Sequence, residues 1–159
     1  MRTFPLLLLC LFGLAFQALA EGPEDMGGVR WGISREEAKA VLLQRPNVKL
    51  ESETPTQLVF TGGDCAAVPV KSWTLQFVSD KFANGIVVVQ GDDGKKLYET
   101  TKTWFRPNYG NGREQKADHH VEIRWIFKDA ATSASQGEVK IMWYFDQNEV
   151  TIKFIHQHA

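Results

Sequence analysis

From residue 34 onward the apolar positions follow two periods in turn, 3.6 and 2, and their order predicts the elements. Ser34-Arg35-Glu36-Glu37 writes a helix start, because the Ser34 hydroxyl can accept from the Glu37 amide while the Glu37 carboxylate reaches back to the Ser34 amide. Ala38, Val41 and Leu42 supply the helical stripe, and Pro46 stops it by pushing the preceding residue out of the α region. The spacing predicts a helix over 35–44. Three strand-like runs follow. Leu58-Val59-Phe60 ends at Gly62-Gly63; Trp73, Leu75 and Phe77 alternate with polar residues; Ser79-Asp80-Lys81 turns the chain into Gly85–Gln90. Asp92-Asp93-Gly94 opens a second helix with the stripe Leu97, Tyr98, Thr101, Trp104 and Phe105, and Pro107 closes it. A polar loop from Asn108 to Asp118 leads to three more alternating runs, centred on Ile123, Ile141 and Ile152.

The order helix, three strands, helix, three strands predicts an α+β fold, an antiparallel β-sheet with two helices packed on one face. It also predicts halves at 34–90 and 93–156, an αβββ-αβββ plan. Arg45-Pro46-Asn47 and Arg106-Pro107-Asn108 end the two helices, Trp73 aligns with Val139, Asp80 with Asp146, Ile86 with Ile152 and Val88 with Phe154. The offset grows from 61 to 66, which places an insertion within Ala130–Gly137. Tandem duplication explains these matches, and so does the general likeness of alternating hairpins. Trp73, Phe77, Trp125, Phe127, Trp143, Phe145 and Phe154 are expected in the layer between sheet and helices, each worth about 1.5–3 kcal/mol on burial.

A one-sided antiparallel sheet should be polar on its outer face. Six positions read as outward here are apolar or aromatic: Val78, Val87, Val89, Met142, Tyr144 and Ile155. They form the candidate contact surface. The alternative is that loops, or the segment Glu21–Gly28, cover them.

The first residues change the picture of where the chain works. Arg2, an apolar run from Leu6 to Phe16 and the small-x-small pattern Ala18-Leu19-Ala20 make a secretory signal peptide, cleaved after Ala20. The expected location is periplasmic or secreted, with residues 21–159 as a single domain. Cys10 does not suit lipidation, because Leu9 stands where a lipobox needs a small residue. Eighteen Lys and Arg face 19 Asp and Glu, and no basic stripe is visible along the sequence, so a nucleic-acid partner is not expected. No later apolar run approaches the ~20 residues of a membrane span. Cys65 has no second cysteine after the leader, so an internal disulfide is excluded, which suits a bacterial periplasmic domain.

Candidate chemistry is sparse. Cys65 with His119 or His120 and an aspartate is a nucleophile–base group that a fold could bring together, and nothing local supports it. His156 and His158, two apart on a strand, share a face and could chelate, whereas His119 and His120 point to opposite faces. No His-Glu-x-x-His, Gly-x-Ser-x-Gly or acidic calcium loop is present, so no cofactor, no metal and no catalytic residue is assigned.

Val29-Arg30-Trp31-Gly32-Ile33-Ser34-Arg35-Glu36-Glu37-Ala38, with Trp73–Gln90 and Tyr109-Gly110, resembles a group of uncharacterised exported proteins of Gram-negative bacteria that share a Trp-Gly-x-Ser helix start. No activity comes with that likeness. Gly32–Ala38 is more distantly similar to the modules of the β-lactamase inhibitor protein and the small outer-membrane-assembly lipoprotein, with Ile33 where those carry methionine. Each repeat of the inhibitor carries two helices before its strands, where this sequence predicts one, and the paired cysteines of the inhibitor and the lipobox of the lipoprotein are not found in this sequence. The resemblance implies a protein-binding module without a catalytic site. The expectation is therefore an exported interaction module whose partner is another envelope protein. The alternatives are a small Cys/His enzyme and a periplasmic metal- or small-ligand-binding protein.

Overall fold

The capping box forms as its residues dictate. The Ser34 amide donates to Glu37 Oε2 at 2.9 Å, and the Glu37 amide donates to Ser34 Oγ at 3.3 Å. These bonds from Ser34 hold the Glu37 carboxyl below its usual range. The computed structural model describes residues 22–128, 132 and 135–156. In chain order the elements are β1 (Asp25–Met26), β2 (Val29–Arg30), α1 (Arg35–Leu43), β3 (Lys49–Thr54), β4 (Gln57–Thr61), β5 (Asp64–Cys65), β6 (Val68–Val78), β7 (Lys81–Gln90), α2 (Gly94–Tyr109), β8 (Arg113–Lys116), β9 (His120–Lys128), β10 (Ser135–Tyr144) and β11 (Glu149–His156).

All strand pairs are antiparallel, and the main sheet runs β3-β4-β6-β7-β11-β10-β9-β8, with β5 paired to β6. Each half is thus a helix followed by a four-stranded meander, and the last strands of the two, β7 and β11, pair to join them. Both helices lie on one face, where Ala38 and Leu42 of α1 and Leu97, Tyr98 and Phe105 of α2 share one core with the sheet. The α+β class follows directly.

Each four-stranded meander has one strand more than the pattern predicts, and the first half adds the two-residue β5. β3 and β8 are the two sheet edges, and their sequences, KLESET and REQK, are polar on both faces. Without alternation they carry no strand signal, and charged edges resist pairing with other chains. Helix α2 also runs past Pro107 to Tyr109. It ends at Gly110, whose φ of 72° suits glycine, with the Gly110 amide donating to Arg106 O at 2.8 Å. Lys102 takes the buried place expected of Trp104, which is 49% exposed, and Phe145 is also half out in solvent at the β10–β11 turn. Lys102 Nζ is held by Glu99 at 2.9 Å and by Glu114 of β8 at 2.8 Å.

The face assignment of β7 differs from the expectation. Val78 pairs with Lys81 and Phe77 with Phe82 around the Ser79-Asp80 turn, but Gln76 then pairs with Asn84. One extra residue, Ala83, sits in β7 as a bulge, and a one-residue slip exchanges the two faces of everything beyond it. Trp73 therefore pairs with Val87 instead of Ile86. Val87 and Val89 point into the helix-covered core and are fully buried, while Ile86 and Val88 face outward. Ile86 consequently lies on the opposite face from Ile152, contrary to their alignment.

Residues 22–34 lie on the helix side, over the β7 end of the seam between the halves. The Gly32 amide donates to Phe82 O and the Phe82 amide to Ile33 O, both at 2.9 Å, and Trp31 stacks on Phe82 with centroids 4.8 Å apart. Gly85, paired with Leu75 on one side and Phe154 on the other, presents no side chain to the core, and Met26 occupies that space.

Candidate functional site

The outer sheet face is the first candidate, and no described element lies over it. Of the six positions expected there, Val87 and Val89 belong to the core for the register reason above. Met142 faces outward but is only 8% exposed, packed between Thr151 and Glu122. Val78, Tyr144 and Ile155 are exposed, yet they do not form one patch. Ile155 stands opposite Glu138 near one end of β10 and Tyr144 ends the strand, six residues away, or ~20 Å at the rise of a strand. The segment 22–28 covers none of them, because it lies on the other face.

What the structure brings together on this face is charge. Across four adjacent strands the directly paired outward residues are Lys153, Lys140, Arg124 and Arg113. The paired positions of the next row include Ile155, Glu138 and Ile126, and those of the row on the other side Val88, Thr151, Met142, Glu122 and Gln115. Glu122, only 7% exposed, holds Arg124 at 2.6 Å and Lys140 at 3.8 Å. Glu138 lies 3.5 Å from Lys140 and 3.9 Å from Arg124. Among the described residues Lys153 and Arg113 have no ion pair. The row was legible in principle, since β8 to β11 are joined by successive hairpins. It was missed because scattered Lys and Arg read singly as solvated positions.

The second candidate is a cleft of about 410 Å³ on the helix side, between the β1–β2 turn, the β5 hairpin and α2. Its deeper walls are Trp73, Phe105 and Phe154, and Trp104 and Tyr109 stand nearer solvent. Arg45, just past α1, fastens the site. It donates to Gly27 O at 2.7 Å and Asp64 O at 2.9 Å, and its guanidinium carbon lies 5.0 Å from the Trp73 ring centroid. The β5 hairpin turns on Ala66 and Ala67, with φ of 53° and 58°. Tandem left-handed residues make the tight hairpin turn that Asn-Gly usually supplies, and each alanine there carries roughly 1–2 kcal/mol of strain.

Cys65 lines this cleft. Burial pushes its thiol up to about 11, only partly opposed by Arg45, so at neutral pH it is a protonated thiol. No histidine is among the described lining residues. His120 packs against Tyr144 with centroids 5.4 Å apart, and His156 stacks on Trp31 at 5.5 Å. These two imidazoles stand at opposite ends of β10, since Tyr144 pairs with His120 and Gly137 with His156. His158 lies outside the described residues. Among the described residues no group of three His, Cys, Asp or Glu could hold a metal ion. Tyr109 is raised by burial first, then by the charges of Asp25 and Cys65.

No helix among the described residues is long and apolar enough to cross a membrane. In comparisons with known proteins, no family, no curated protein and no solved structure matches the chain.

Proposed function

We propose that this protein is an exported, non-catalytic interaction module whose outer sheet face docks an acidic surface of another envelope protein. The observation that carries this reading is the row Lys153–Lys140–Arg124–Arg113, four cations placed directly opposite one another on successive strands. Like charges so paired cost about 0.2–1 kcal/mol each, and among the described residues Glu122 and Glu138 are the carboxylates that offset them. An arrangement that costs stability in the free protein is repaid when a partner supplies the missing carboxylates. Ile86, Val88, Ile126 and Ile155 border the row and add apolar contact around the charges. The export pattern at Ala18-Leu19-Ala20 supports an encounter outside the cytoplasm, which favours a protein over a nucleic acid as the polyanion. The likeness to envelope modules that bind proteins points the same way, and tandem duplication of an α-plus-meander unit is the origin we assign to the two halves. The protonated Cys65 thiol, with no imidazole among the described residues lining its cleft, gives the enzyme reading no support.

The test is charge reversal. Lys140→Glu with Lys153→Glu should weaken cross-linking to the partner in the periplasm by tenfold or more, and binding of wild type should fall as salt rises through about 0.1–0.5 M. Lys95→Glu with Lys96→Glu, on exposed positions of α2, should change neither. Equal cross-linking by all three proteins would overturn the proposal. Sequencing the exported form should find Glu21 at its N-terminus, and a retained leader would remove the envelope setting.

A further inference from the structure

We propose that the cleft between α2 and the β5 hairpin is a binding site for a small organic cation with an aromatic body, an arylalkylamine in its ammonium form. Its volume of about 410 Å³ falls within the range of small-ligand pockets. Its walls are aromatic, and aromatic faces attract cations at the distance Arg45 already keeps from Trp73, 5.0 Å. The Gly27 and Asp64 carbonyls fix that guanidinium in the wall of the cleft.

The polar groups left over favour a donor with positive charge. Asp25 Oδ1 accepts from the Gly28 amide at 2.8 Å, and among the described residues the second carboxylate oxygen has no partner. The Tyr109 hydroxyl likewise makes no hydrogen bond among the described residues. It lies close enough to Asp25 for the carboxylate to raise its titration. An ammonium group donating to Asp25 and to the phenol oxygen would satisfy both. A neutral ligand would dry the cleft while leaving the Asp25 charge uncompensated, the costlier outcome. Trp104 forms part of the mouth, and a shallower groove along α2, where Ala66, Thr100, Thr103 and Trp104 stand beside Lys96 and Glu99, continues from it to receive the ligand's apolar end.

The experiment compares three ligands of one shape: 2-phenylethylammonium, 2-phenylethanol and phenylacetate. Each is titrated calorimetrically at neutral pH into the wild-type protein, Asp25→Asn and Trp104→Ala. The Asp25→Asn amide keeps an oxygen to accept from the Gly28 amide, and Trp104 is exposed enough to be cut back without loss of fold, which thermal midpoints check. The amine should bind saturably and at least about tenfold tighter than the alcohol or the acid. Asp25→Asn should erase that preference, Trp104→Ala should weaken all binding, and bound amine should slow modification of Cys65 by a methanethiosulfonate. An amine no tighter than the alcohol, no saturation up to about 10 mM, or a preference unmoved by Asp25→Asn would each overturn the proposal.

Discussion

Gly85→Ala is the sharpest probe of how the halves are held together. A Cβ at Gly85 would meet the end of the Met26 side chain and stand 3.2 Å from Phe82 Cζ. Met26 is fully buried, so the thioether has no solvent to swing into, and overpacking of this kind costs about 1–3 kcal/mol. Against that, alanine restricts the unfolded chain more than glycine and returns about 0.5–1 kcal/mol in a strand interior. The net expectation is a loss of roughly 1–2 kcal/mol. Met26→Ala alone should cost about 2–5 kcal/mol, through lost burial and the hole left over the seam. In the Met26→Ala background the clash is gone, and the new methyl fills part of that hole. There Gly85→Ala should be neutral or stabilising, a coupling of about 1–3 kcal/mol between residues 59 positions apart. Urea unfolding followed by tryptophan fluorescence on the four proteins measures it. If Gly85→Ala costs the same in both backgrounds to within about 0.5 kcal/mol, Met26 does not occupy the space over Gly85 and the placement of the N-terminal segment is wrong.

Two further outcomes follow from the cleft. The Cys65 thiol titrates at about 11 in the fold, above its ordinary value, so its contribution to stability is intact below pH 8.5–9 and is lost as pH rises through about 11. Urea midpoints of wild type should therefore fall more steeply over that window than those of Cys65→Ala, and parallel curves would refute the burial argument. Ala67→Gly should stabilise the protein by about 0.5–1 kcal/mol, because glycine relieves the left-handed strain at a small entropic cost, and a lowered thermal midpoint would show that the turn is not left-handed there.

The helices and the six central strands were legible because each writes its own period locally. Ser34 and Glu37 announce α1, and Val139, Ile141 and Trp143 announce β10 whatever surrounds them. Two kinds of information were not local. Edge strands β3 and β8 are defined by what they pair with, not by a buried face, so KLESET and REQK look like loop. The β7 faces depend on a single bulged residue, Ala83, in a run of small and β-branched residues where either alternation fits. That one slip moved Val87 and Val89 from the expected contact surface to the core and put Ile86 and Val88 in their place. The charged row was hidden differently: every member was visible, but its meaning lies in the pairing of four strands.

The seam explains why both candidate sites lie where they do. β7 and β11 are each the last strand of their half, and pairing them fuses two meanders into one sheet, with α2 carrying the chain from β7 to the far edge strand β8. On the helix side neither helix lies across that junction. The gap is floored by Trp73 of the first half and Phe154 of the second, overlain in part by Met26, and elsewhere left open as the cleft. On the outer side the junction has no counterpart to fill, so the sheet continues unbroken and its surface is set by residue choice alone. The second half places its cations there, while the facing first-half positions Thr74, Ile86 and Val59 are uncharged. If the halves share an origin, this row is where they have parted. An exchange that carries Lys153 and Lys140 to the equivalent first-half strands should then move the footprint proposed for an acidic partner across the seam, whereas one that swaps core residues such as Trp73 and Val139 should change stability and leave that footprint in place.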